Sequence, residues 1–391
     1  MPSTLRRAVL ALALPFALVA CSSEAPQPVA PLAEAPAVCC PAAPDDWPQY
    51  RGLDRQGAVE MSISPWTDAG LVELWRRPIG AGFASLAIGG DRLFTSAEDG
   101  GDEVLLALDP DTGDELWRQV LGPEFDEEFG DGPRSTPTVD DRGMVYALSS
   151  RAGLVAADGR DGTLIWTRDL HPDFGGDDYD RGYSSSPLID GERLILNVGP
   201  ADDGAVVALE RTTGSILWSS QDGVAAYSSP IAAEVDGQLH IVTPIGRGLV
   251  GLDPNDGTLL WEHEWPTRWG LNIAMPVAVP GGRFLISSAY DQGAAMVEVR
   301  RDGDGWSADA AWTERLFRNH FATSVYLDGL LYGFDDDKLA CLDAATGAKR
   351  WATRDYGKGT LVRVGQTLVV VSDSGDVALV EATGEAFREL A

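Results

Sequence analysis

The side chains best suited to recognition chemistry in this chain are Arg134, Arg247, Arg268, Trp269, Arg318, His320 and Lys358. Arginine forks grip carboxylates and phosphates at two points, and aromatic faces supply much of the energy of protein contacts, so these types together suit an anionic or peptide ligand. Asp126, Glu127, Asp178 and Asp335 lie close enough in sequence to neutralise the same cations as surface ion pairs of little energetic weight. Covalent chemistry finds fewer candidates. The chain has no G-x-S-x-G nucleophile elbow and no glycine-rich phosphate loop after a strand, so no catalytic residue is expected. Its histidines (His171, His240, His263, His320) have no H-E-x-x-H or paired spacing, which excludes the usual zinc motifs. Acidic stretches at 123–132, 173–182, 301–306 and 334–339 offer carboxylates to a hard cation. None has EF-hand spacing with a closing glutamate, so they read as solvated loops and no metal site is expected.

The elements that position these residues follow from a repeat. One phrase recurs as ALDPDTGDELW (107–117), AADGRDGTLIW (156–166), ALERTTGSILW (208–218), GLDPNDGTLLW (251–261) and CLDAATGAKRW (341–351). With Trp75 and the weaker Trp312, the tryptophans return after roughly 40 to 50 residues, the period of a β-propeller blade. Between them, short apolar or alternating runs such as STPTV, MVYALS, GLVAAD and TLIWTRDL are broken by Gly, Asp and Arg turns, which gives four antiparallel strands per unit. The Asp or Glu opening each turn (Asp109, Asp158, Glu210, Asp253, Asp343) can accept backbone N–H bonds, and the glycine four residues on supplies a positive φ. A calcium reading of Asp109 and Asp111 fails because the second position varies between copies, whereas a turn role explains every copy. The residue ten before each tryptophan is small, leaving room for an indole. Trp75, Trp117, Trp166, Trp218, Trp261 and Trp351 are therefore expected to be inter-blade mortar.

Blades are expected to begin near Gly82, Pro133, Tyr183, Ala226, Ile273, Phe321 and Gly359, giving an all-β, seven-bladed propeller of four-stranded antiparallel blades. The fifth is irregular, with EVRRDGDGWSADAAW in place of the turn, which leaves eight blades as the alternative count. The seventh lacks its tryptophan, so the strand LVELWRRPI (71–79) is expected to close it as the outermost strand. Loops entering each inner strand gather at one face and bring the recognition residues to its rim, together with Arg151, Tyr183, Tyr227, Tyr290 and Lys338. The serines of 184–187 and 228–230 fall at equivalent repeat positions, which argues for packing rather than catalysis.

The A-L-D-x-x-T-G-x-x-x-W phrase resembles the repeat of the pyrroloquinoline-quinone-like (PQQ-like) propeller family, over residues 71 to about 388, and DDWPQYRG (45–52) looks like the segment that precedes such propellers. The resemblance implies a quinoprotein alcohol dehydrogenase-like fold. The family includes quinoprotein dehydrogenases and the propeller lipoprotein of the outer-membrane β-barrel assembly machinery, so fold alone leaves function open. The dehydrogenases it would resemble have eight blades, a vicinal disulfide inside the propeller, and a Glu, Asn and Asp calcium set, none of which can be placed here. The expectation is accordingly a non-enzymatic scaffold that binds an envelope protein or exported polypeptide, without cofactor. The alternative is a PQQ- and calcium-dependent oxidoreductase acting on alcohols or polyvinyl alcohol.

Arg6 and Arg7 precede an apolar run from Ala8 to Val19 that is too short to span a bilayer, and Leu18-Val19-Ala20-Cys21 resembles a lipobox. Residues 1–20 are read as a lipoprotein signal peptide, Cys21 as the lipidated residue, 21–45 as a Pro/Ala-rich tether and 46–391 as the propeller. Ser22 after the cysteine resembles the outer-membrane sorting rule, placing a monomeric propeller on the periplasmic side or the cell surface, in contact with the membrane through lipid only. Cys39 and Cys40 lie in the tether, outside every blade, and Cys341 takes a small-residue repeat position as a buried packing group. The net charge of −30 repels phosphate backbones, so nucleic acid is not an expected partner.

Overall fold

A computed structural model describes residues 46–67, 70–175, 181–199 and 204–391; Cys21, Cys39, Cys40 and the rest of the expected signal and tether lie outside them. The described chain forms seven four-stranded sheets in sequence order. They span residues 87–123, 138–169, 188–220, 231–264, 277–314, 325–353 and 359–381, the last completed by Ala58–Val59. Within the first blade the second and third strands, Arg92–Asp99 and Asp102–Leu108, are buried almost throughout, whereas the outer strand Glu115–Pro123 alternates. Neighbouring blades cover both faces of the middle strands, so those read as continuous apolar runs; the outer strand keeps one face in water and reads with period two.

The repeated phrase builds the joints between blades. Asp109 Oδ1 accepts from the backbone of Asp111 and Thr112 at 2.9 Å, and Asp158, Asp253 and Asp343 do the same in their own turns. The small residue of each phrase pairs across the sheet with the tryptophan of the same blade, as Ala107 with Trp117 and Cys341 with Trp351. Each indole then lies on the turn of the following blade. Trp117, Trp166 and Trp218 donate to the carbonyls of Gly159, Arg211 and Pro254 at 2.9–3.0 Å, and Trp312 and Trp351 donate to Ala344 and Thr383. Gly162 and Gly214 have φ of 74° and 70°, and a Cβ on either would stand 2.8 Å or less from the indole, so glycine is required there twice over. Truncating one such indole costs roughly 3–5 kcal/mol.

Two joints depart from the sequence reading. Residues 71–79 form no strand and carry no pairing to the last blade; Val380 pairs instead with Glu389, and Leu379 bonds Leu390 and Ala391, so the chain's last residues lie along that edge. Trp75 nevertheless performs the mortar role, donating to Pro110 O at 2.9 Å and stacking on Gly113 of the first blade. Its indole is held by the turn beneath it, and that needs no ladder alongside. The other exception is Trp261, which faces the irregular fifth blade with its long hairpin of Gly293–Asp302 and Gly305–Glu314. With no repeat turn to bond, Trp261 donates to Nδ1 of buried His240 at 2.9 Å, and Trp306 packs edge-on against that imidazole at 4.4 Å.

The centre is not empty. The segment 46–60 bonds to the innermost strand or its approach in all seven blades. Trp47 O accepts from Ile88 and Pro48 O from Val139, both at 2.7 Å. Arg55 donates to Ser186 O, Pro187 O and Pro230 O. Gln56 Oε1 accepts from Ala278 N, Arg51 donates to Ser324 O, and Gly57 O accepts from Arg363 N ahead of the parallel pairing of Ala58–Val59 with the last blade. A strand segment with partners in every blade must lie on their common axis. Arg55 is 1% exposed, and its remaining bond goes to Gln49 Oε1 at 2.8 Å. Burial lowers its pKa, yet a guanidinium keeps its proton in proteins, so a full charge sits on the axis solvated by peptide dipoles. The hydroxyls singled out in the sequence belong to the layer around it: Ser135 donates to Ser185 O, Ser186 N to Ser229 Oγ, and Ser228 to Ala274 O, each linking one blade to the next.

Replacing Arg55 with methionine keeps the bulk and removes the donors, leaving three buried acceptors, Ser186 O, Pro230 O and Gln49 Oε1, without partners, while Pro187 O keeps its bond from Thr138. At about 1–3 kcal/mol for each orphaned acceptor, the loss should be about 3 kcal/mol or more in urea unfolding followed by tryptophan fluorescence; a loss below about 1 kcal/mol would show the axis to be wet. A second expectation concerns His240, whose burial, aided by Arg301, pushes its pKa down to about 4. Because folding disfavours its protonation, its stabilising contribution is complete above the unfolded value of about 6.5 and is lost as pH falls from there toward 4, by up to about 3 kcal/mol. His240→Gln should show a shallower fall in urea midpoint between pH 7 and pH 5 than the parent chain, and an equal slope would refute the assignment.

Candidate functional site

Loops entering the inner strands and hairpins joining second and third strands share one face. The opposite face carries the turn at Gly90, where Asp46 receives the backbone N–H, and the turn at Gly365, which bonds Val59 O. Both ends of the axial segment therefore leave away from the loop face.

Most of the expected rim cations are engaged by the protein itself. Arg134 is largely buried between Phe83 and Phe125, donates to Gly130 O and Gly132 O, and lies 3.7 Å from Glu127; burial lowers its pKa, with Glu127 opposing. Arg247 bonds Glu262 at 2.6 Å, Gln221 at 2.7 Å and Asp222 O at 2.6 Å, at one wall of an open polar groove of about 580 Å³ between the third and fourth blades. Arg318 donates to Asp335 Oδ1 at 2.8 Å, a bond that raises its pKa. Burial alone would raise the pKa of Asp335, and the bond from Arg318 reverses that, holding the carboxylate ionised. Lys358 pairs with Asp336 at 3.1 Å. The acidic stretch 334–339 thus neutralises arginine and lysine. Among the described residues no three His, Cys, Asp or Glu side chains converge as a cation cage.

What remains outward is aromatic. Trp269, Tyr290 and Phe321 are 64%, 47% and 64% exposed, and with His320 they form one row. Trp269 meets Tyr290 edge-to-face at 5.9 Å, Tyr290 meets His320 the same way at 5.1 Å, and His320 stacks on Phe321 at 3.7 Å. His320 Nε2 and the Tyr290 hydroxyl are hydrogen-bonded at 2.9 Å. Burial, with Lys358 nearby, lowers the His320 pKa, which favours the neutral imidazole. Arg268 is exposed at one end with its guanidinium 4.1 Å from the Trp269 ring centre, and no carboxylate among the described residues lies within ion-pair distance of it.

The row is built on three loops, the entry and one hairpin of the fifth blade and the entry of the sixth, each pinned from beneath. Buried Asn272 donates to Ile245 O at 3.0 Å and accepts from Ser288 at 2.7 Å, tying the Trp269 loop to the Tyr290 hairpin. Buried Asn319 donates to Phe334 O and accepts from Ser324, fixing the loop of His320 and Phe321. Trp269 and Tyr290 are held at φ of 65° and 57°. A bulky side chain in the left-handed region costs roughly 1–2 kcal/mol, and exposure returns little of it. Sequence reading identified Arg268, Trp269, Tyr290 and His320 as rim residues but not Phe321, which it saw only as a blade start.

Fold and repeat define the class first: an all-β PQQ-like propeller. The family model described as outer membrane protein assembly factor BamB matches residues 101–353, and the chain belongs to that family. The outer membrane protein assembly factor BamB of Shewanella oneidensis is 24% identical over 280 residues, covering 68% of this chain and 67% of that protein. Its counterpart in Moranella endobia is 22% identical over 298 residues, covering 69% and 68%. The crystal structure of BamB from Moraxella catarrhalis is similar in fold, with a TM-score of 0.58 at 15% identity over 79% of this chain and 86% of that one.

If the fold does not need the exposed indole, Trp269→Gly should relax the backbone and leave thermal stability equal or higher, by up to about 1 kcal/mol. A fall in melting temperature of several degrees would show that Trp269 is a structural contact.

Proposed function

We propose that the protein is a non-enzymatic, lipid-anchored envelope scaffold that takes part in outer-membrane protein assembly. Family membership supports a role of this kind. The observation that carries the reading is the filled axis: the space common to all seven blades holds Arg51, Arg55 and Gln56 of the chain's own N-terminal segment, each bonded to blade backbone. A planar quinone shared by the blades would have to displace a buried guanidinium and orphan its carbonyls. Recognition is then left to the surface, and the loop face is the surface with exposed aromatics on pinned loops. The axial segment begins and ends on the opposite face, which leaves the loop face uncovered by it. The outer membrane, on its periplasmic side or at the cell surface, is the proposed location.

Crosslinking in native cells followed by mass spectrometry of the captured complex tests this reading. Outer-membrane assembly proteins crosslinked through loop-face residues are the expected result. Recovery of a cytochrome in their place, or retention of PQQ with calcium after gel filtration and dye-linked alcohol oxidation, would overturn it in favour of an oxidoreductase.

A further inference from the structure

We infer that the row Trp269–Tyr290–His320–Phe321, with Arg268 at its end, is a docking site for an extended, proline-containing polypeptide segment that carries an acidic residue beside the prolines. The inference rests on the scaffold reading and names the chemistry of the partner. Three properties of the row lead to it. Successive rings stand nearly perpendicular, at 89° for Trp269 with Tyr290 and 82° for Tyr290 with His320, so that each pair meets in a right-angled corner, or notch, between one ring's face and the other's edge. Notches walled by aromatic rings accept the flat pyrrolidine and the aliphatic side chains of a chain already extended in polyproline II form, which loses little conformational freedom on docking. A folded partner surface would need a broad flat patch, and the rim on either side of this row is polar and ion-paired through Arg247 with Glu262, Arg318 with Asp335 and Lys358 with Asp336.

Charge selects the flank. The protein carries a formal charge of −30, so an acidic ligand is repelled almost everywhere. Arg268 is the exception within this row, since its guanidinium rests on Trp269 with no carboxylate in ion-pair distance among the described residues. A carboxylate placed beside the Trp269 notch completes a cation–π–anion arrangement and makes Arg268 a two-point donor. The aromatic notches give contact, and the arginine fixes direction along the groove.

The test uses the full chain in detergent and two fluorescein-labelled peptides, Glu-Pro-Val-Glu-Pro-Leu-Pro and the same sequence with both glutamates replaced by lysine, read by fluorescence anisotropy. The acidic peptide should bind more tightly than the basic one. Trp269→Gly, which removes the wall of one notch and whose fold is checked by its melting temperature, should weaken it roughly tenfold or more. Arg268→Glu should reverse the preference in favour of the lysine peptide. Equal binding of both peptides, no binding of either, or an affinity unchanged by Trp269→Gly would overturn the inference. Capture of assembly proteins in cells that persists in Trp269→Gly with Arg268→Glu would leave the scaffold reading standing while this site falls.

Discussion

One arginine without a carboxylate organises the centre of the molecule. Arg55 is surrounded by backbone oxygens of the third and fourth blades and by the amide of Gln49. An isolated charge in a dry interior is costly unless every donor is met, and a planar fork with five N–H groups can meet several carbonyls that converge from different chain segments. A lysine presents its donors from a single point and would leave some of these oxygens unmet. The same bonds tie residue 55 to residues 186, 187 and 230, and Arg51 to residue 324. Contacts of such sequence separation carry a larger loop-closure cost than the local hairpins of the blades. The last blade takes an inner parallel strand, Ala58–Val59, from this same segment, which links completion of the sheets to completion of the hub.

Around that hub the blades are joined at the perimeter by indoles. Trp117, Trp166, Trp218 and Trp312 each belong to one blade by strand pairing and to the next through a ring stacked on a turn glycine and an N–H given to a turn carbonyl. The joint is thus specified by residues of two consecutive repeats, and a change at the glycine disturbs the indole as surely as a change at the tryptophan. Where the turn is missing, in the fifth blade, a different acceptor is needed, and buried His240 supplies it. The substitution introduces a titratable imidazole into this joint, so acid acts on its packing directly.

The repeat was legible because periodicity and turn chemistry are local: the Asp-to-Gly turns, the small residue opposite each indole and the number of blades all follow from spacing. Residues 46–60 were not, because an axial segment has no period of its own and each of its bonds goes to a different, distant blade. The strand expected at 71–79 does not form, yet Trp75 still packs on the turn of the first blade, since an indole needs only the turn beneath it and no ladder alongside. The rim was half legible. Loop order brought Arg134, Arg247, Arg318 and Lys358 to the right face, but the acidic residues that pair with them are joined through tertiary folding, so sequence overcounted the available charge. Exposure of Phe321 and the left-handed backbone of Trp269 leave no trace in composition.

These features place opposite demands on one molecule, and the propeller separates them in space. Strain at Trp269 and Tyr290 persists only where the surroundings overdetermine the backbone, and here the buried amides of Asn272 and Asn319 fix the loops from strands that the hub and the indoles already hold. A rigid interior is therefore the condition for a surface that keeps large rings in water at fixed angles to one another. A flexible loop would fold those rings onto itself and lose the notches between them. The acidic surface acts in the same direction: by ion-pairing nearly every cation near the mouth, it leaves Arg268 as the row's distinctive charge, so that selectivity on this face is a matter of one guanidinium and the rings beside it.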